Sequence, residues 1–95
     1  MREIVRFTFS KPLDRTGVED DVCLAIFCAE CIYGQPKVRL DVGGFLVSGD
    51  GSRCVLDVRG VAGEAAASIL TGLSAARVGD GWFKVERVLP ESIAS

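Results

Sequence analysis

The chain has 95 residues, 48% of them hydrophobic and 25% charged, with a net charge of −2 and no histidine. That length suits one domain with a single modest core, and the balance lies well away from the low-hydrophobicity, high-charge profile of disordered chains. Without a surplus of Lys and Arg there is no electrostatic footprint for nucleic acid, and the longest uncharged apolar run, Val22 to Ala29, is far short of a membrane span.

The amino-terminal stretch MREIVRFTFSKP places charges at positions 2, 3 and 6 and holds no apolar block of signal-peptide length. A cytoplasmic address with reduced thiols is therefore expected. From residue 2 to residue 10 the chain alternates, with Val5, Phe7 and Phe9 on one side and Arg6, Thr8 and Ser10 on the other, which predicts a half-buried strand. The loop KPLDRTG closes it. Thr16 followed by Glu19 fits a capping box, and Glu19, Asp20 and Asp21 suit the positive end of a helix dipole. Gly34 offers a stop, with Pro36 beyond it, so a first helix is expected over 17–33. Periodicity alone also admits VCLAIFC as a buried strand, an alternative that the cap and the length disfavour.

After Pro36, KVRLDV alternates again and predicts a strand with Val38, Leu40 and Val42 inward, followed by a bulge or bend at Gly43-Gly44 before FLVS. Asp50-Gly51 between two strand-like runs predicts a tight primed hairpin turn. RCVLDVR returns with Cys54, Leu56 and Val58 on its inner side. Ala62, Ala66, Ile69, Leu73 and Ala76 recur at helical spacing up to Val78, where Gly79 ends the second helix. WFKVERVL reads as a last strand stopped by Pro90. The order is βαββαβ in a single α+β domain over 1–95. It predicts an open-faced sandwich, ferredoxin-like or HPr-like, with two helices on one face of a four-stranded, mostly antiparallel sheet.

Three of the four cysteines, Cys23, Cys28 and Cys31, lie in this first helix at C-x4-C-x2-C spacing, with the fourth at Cys54. The spacing matches a plant-type [2Fe–2S] pattern, yet such clusters sit in irregular loops, and here the intervening residues are helix formers with no glycine to bend the chain. On a helix Cys23 points about 140° away from Cys28, so three ligands do not converge. The thiols are read as small buried hydrophobes, leaving Cys28, Cys31 and Cys54 as the one combination that retains a claim to a zinc or redox site. No cofactor is expected otherwise. Residues 22–29 are apolar all round, more than a helix lying on one sheet needs, which leaves the surplus to the second helix, a small ligand or a second copy of the chain.

The segment DRTGV, Asp14 to Val18, resembles the turn between first strand and first helix of ACT domains, βαββαβ regulatory modules that pair and bind small effectors near that turn. The resemblance would carry effector binding onto Asp14, Arg15 and Gly17, with Thr16 between them. The local reading is turn chemistry, with Thr16 capping and Gly17 relieving strain. ASILTGLSAARVGDGWFKV, residues 67–85, is similar to the second helix and last strand of the phosphocarrier HPr, and Ser68 falls where that family has a regulatory serine. A chain without histidine lacks that family's phosphoacceptor, so phosphotransfer is not implied.

No phosphate-binding glycine loop, nucleophile elbow or histidine acid–base pair occurs. These observations lead us to expect a non-enzymatic regulatory or ligand-binding module acting as a homodimer, with a small-molecule effector or a protein as partner. An HPr-like docking module is the alternative.

Overall fold

A computed structural model of the chain describes residues 3–10 and 13–88. Lys11 and Pro12 of the first loop, Leu89 and the strand-ending Pro90 expected from the sequence lie outside the described residues. Strand β1 (Glu3–Phe9) leads to helix α1 (Arg15–Tyr33), a short helix α2 (Gln35–Asp41), strands β2 (Val42–Val47) and β3 (Arg53–Val58), helix α3 (Gly60–Val78), a 3-10 turn (Asp80–Trp82) and strand β4 (Phe83–Val88). The four strands form one antiparallel sheet in the order β2-β3-β1-β4. The architecture is an α+β sandwich with an open sheet face.

The period-two pattern of β1 sets the layers. Val5 and Phe7 are at most 1% exposed, and they stand opposite Leu56 and Cys54 of β3, themselves buried. Val18, Val22 and Ala25 of α1 and Ala67 and Leu70 of α3 close over that face. A second cluster lies within the helix layer, where Ala29, Ala62 and Ala66 let α1, α2 and α3 approach closely around Val38. On the other face Arg6 sits between Val55 and Glu86, and its guanidinium bonds the Glu86 carboxylate at 3.1 Å.

Helix α1 starts two residues before the expected boundary because Asp14, not Thr16, is its cap. The Asp14 carboxylate accepts from the Gly17 N–H at 3.2 Å. Thr16 and Glu19 then fall inside the helix, where Glu19 pairs with Arg15 at 3.8 Å instead of closing a capping box, and the acidic triplet lies beyond the first turn. Gly34, at φ 89°, ends the helix as expected.

The segment KVRLDV is not a strand. Residues 35–41 form α2, with Pro36 in its first turn, and Val38 and Asp41 turn inward while Leu40 stays 63% exposed. Proline suits a helix start because its missing N–H has no partner there anyway. Among the described residues the helix layer accordingly holds three α-helices rather than two. The bulge occurs within β2, where pairing with β3 slips between Val42 and Gly44.

The hairpin forms at Asp50-Gly51, but not through a two-residue primed turn, since only Gly51 has positive φ. Five residues join the strands. The Asp50 carboxylate takes hydrogen bonds from the Ser48 hydroxyl (2.8 Å) and from the Ser52 N–H and hydroxyl (2.9 and 2.7 Å), which closes the loop on its own side chains. Trp82 belongs to the 3-10 turn, so the last strand begins at Phe83.

Candidate functional site

The four residues singled out at the start of α1 meet different fates. Asp14 is committed to its cap, and the Gly17 carbonyl accepts from Arg77 at 3.4 Å. The Arg77 guanidinium lies where a Gly17 side chain would go, 3.3 Å from the Cβ position, and forks onto Asp21 at 2.6 and 2.9 Å, tying the end of α3 to the beginning of α1. The Asp21 hydrogen bonds hold the Arg77 pKa above its ordinary value. Arg15 and Thr16 remain exposed.

The cysteines are dispersed. Cys54 is 1% exposed on β3, and burial pushes its thiol up to about 11. Cys28 is half-buried, whereas Cys23 and Cys31 stand exposed rather than buried as expected. Among the described residues no three His, Cys, Asp or Glu side chains gather as a metal-binding group, so Cys28, Cys31 and Cys54 are not brought together as one. Helical geometry sets Cys23 and Cys28 about 140° apart, but it does not tell which thiols face water.

The surplus apolar surface of α1 is not consumed by α3. Val18, Val22, Ala25 and Ala29 face inward, while Leu24 (47%), Phe27 (59%) and Ile32 (67%) lie open, with Tyr33 partly so. Phe27 is three residues from Leu24 and four from Cys31, so these share the outer side of the helix. Leu40 adds a further exposed side chain from α2.

Where α2 meets α3, Asp41 is buried at 4% exposure and bonds the Ala62 N–H at 3.0 Å, while Lys37 reaches its other oxygen at 3.2 Å. Burial alone would raise the Asp41 pKa. The Lys37 hydrogen bond and charge and the N–H groups of Ala62 and Gly63 together outweigh it and hold the carboxyl below its ordinary value. Gly60, at φ 71°, would place a Cβ 2.5 Å from that carboxylate, so only glycine leaves room for it. Arg59 follows the same junction: its N–H bonds the Asp41 carbonyl at 2.7 Å, and its Nε bonds the Leu40 carbonyl at 2.9 Å.

Beside this junction opens a cleft of about 310 Å³ lined by Arg39, Leu40, Gly43, Asp57 and Arg59. A Cβ on Gly43 would fall 2.7 Å from an Asp57 carboxylate oxygen, so glycine is the residue that fits beside that carboxylate. A second depression, about 350 Å³ and mostly apolar, lies on the open sheet face around Ile4, Leu46 and Val55. The sequence pattern did not mark the cleft, because its two arginines come from α2 and from the turn after β3, twenty residues apart. Among the described residues no helix is long and apolar enough to cross a membrane.

The fold and these surfaces define a small α+β open sandwich with an apolar outer helix face and a polar cleft. No protein-family model matches the chain, and the search of curated proteins found no match to it.

Proposed function

We propose that the protein is a small non-enzymatic regulatory and ligand-binding module that works as a homodimer through the outer face of its helix layer. The observation that carries this reading is the pair Leu24 and Phe27 on the outer side of α1, 47% and 59% exposed although the helix has already filled its share of the core. No charge interrupts residues 22–29, so two copies related by a two-fold axis would meet apolar surface with apolar surface along that stretch. Such a contact hides the patch with nothing but the chain itself.

The strand order supports the ferredoxin-like arrangement over the HPr-like one. β3 lies between β1 and β2, and β1 lies between β3 and β4, so each strand–helix–strand unit is split by a strand of the other. An effector would regulate the module by favouring either the paired or the single state, which requires it to bind the two unequally. Sedimentation equilibrium tests the pairing: the wild-type chain is expected at twice its chain mass and Phe27→Asp at the chain mass, with unchanged circular dichroism. A wild-type monomer, or a dimer indifferent to Phe27→Asp, would rule the reading out.

A further inference from the structure

Seven arginines fall among the described residues, and four of them, Arg6, Arg15, Arg77 and Arg87, are ion-paired with Glu or Asp. Of the three without an ion pair among the described residues, Arg39, Arg53 and Arg59, two line the same cleft. This concentration stands out in a chain whose acidic residues outnumber its basic ones, 13 to 11. Arg59 is also held in place. Its Nε is anchored on the Leu40 carbonyl, and its outer N–H groups have no acceptor among the described residues.

We propose that this cleft binds a small monocarboxylate with an apolar body, its carboxylate between the Arg39 and Arg59 guanidinium groups and its body against Leu40. A guanidinium presents paired N–H donors in the plane a carboxylate requires, and one already fixed at Nε loses less freedom on binding. The cleft sets its two arginines beside the exposed Leu40 side chain, which suits a carboxylate carried on an apolar body better than inorganic phosphate, polar on every side. Leu40, 63% exposed, supplies the apolar wall. The amino end of α3 nearby is not the receptor, because the Asp41 carboxylate already occupies it.

The test is a chemical-shift titration of the full-length ¹⁵N-labelled chain with isovalerate and, separately, with inorganic phosphate. Isovalerate is expected to produce saturable shifts centred on the Gly43, Asp57 and Arg59 amides, weakened at least about tenfold in Arg39→Gln and in Arg59→Gln. Arg39→Gln is the cleaner variant, since that side chain makes no hydrogen bond among the described residues. Isovalerate shifts that never saturate, or that saturate alike in both variants, overturn the proposal. Phosphate saturating these amides while isovalerate fails overturns the carboxylate assignment. The inference does not depend on pairing: a monomer that binds isovalerate leaves it standing while the dimer falls, and a dimer that ignores isovalerate does the reverse.

Discussion

Helix α3 contains two interior glycines in opposite surroundings, and replacing each by alanine separates helix propensity from packing. Gly72 has nothing within 4 Å of the position its Cβ would take, whereas a Cβ on Gly63 would lie 2.7 Å from the Asp41 carbonyl oxygen and 3.0 Å from the Val58 Cβ. Neither residue has positive φ, so alanine fits the backbone at both. Gly72→Ala is therefore expected to stabilise the protein by about 1 kcal/mol, the ordinary gain of alanine over glycine in a helix. Gly63→Ala receives the same gain but must push α2 and β3 away, an overpacking cost of roughly 1–3 kcal/mol. Propensity cancels between the two variants, so their difference, about 1–3 kcal/mol, reports the crowding alone. Urea unfolding followed by circular dichroism reads it as a shift in midpoint at constant slope. Equal stabilisation by both substitutions would refute the packing of the α2 terminus against α3, and with it the helical assignment of residues 35–41.

The hairpin loop offers a second steric test: Gly51 has φ 73°, and a side chain there would run into the Leu13 carbonyl, so Gly51→Ala should lower stability by about 1–3 kcal/mol in the same urea assay. Acid titration tests the loop's charge. Hydrogen bonds from the Ser52 hydroxyl and N–H and from the Ser48 hydroxyl lower the Asp50 pKa from 3.8 to about 2. The folded value is the depressed one, so the contribution of Asp50 is present above its ordinary pKa and fades as pH falls through about 2; the melting-temperature gap between wild type and Asp50→Asn should shrink between about pH 4 and pH 2, and a constant gap would contradict the bonding described. Thiol titration with a chromogenic disulfide at neutral pH should modify Cys23 and Cys31 first and Cys28 more slowly. Cys54, buried and with a pKa near 11, should react only after unfolding, and its rapid reaction in the native protein would contradict its place in the core.

Patterns with one dominant local cause were legible in the sequence. Val5, Phe7 and Phe9 alternate because one face of β1 is buried and the other is not, and nothing distant is needed to see it. Gly34 and Gly79 end α1 and α3 because few other residues adopt their positive φ at low cost. The first cap was misplaced because Asp14 and Thr16 are both good caps two residues apart, and only the Gly17 N–H shows which one is used. KVRLDV was misread for a comparable reason. Val38, Leu40 and Val42 alternate as a strand would, but Val38, Asp41 and Val42 also share a helix face at spacings of three and four, and a short run satisfies both patterns. An aspartate facing inward looks like a violation until α3 brings the Ala62 N–H to it, a contact 21 residues away in sequence.

That contact also determines what the surface between α2 and α3 presents. An ionised carboxylate inside a helix layer is tolerable only if its oxygens are satisfied, and here Lys37 meets one and the amino end of α3 the other. Both partners constrain the rotation of α2 about its axis, since Asp41 must point toward α3 and Val38, one turn earlier, must fill the pocket between Ala29, Ala62 and Ala66. With positions 38 and 41 turned inward, the intervening Arg39 and Leu40 are left outward by the 100° step of the helix. Arg59 then bonds the Leu40 carbonyl and the Asp41 carbonyl from the far side of the junction, which sets the second guanidinium in the wall of the same cleft as the first. The paired arginines are thus a consequence of where one buried acid has to go, and the sequence signal for them is an aspartate at the end of a short helix, not the arginines themselves.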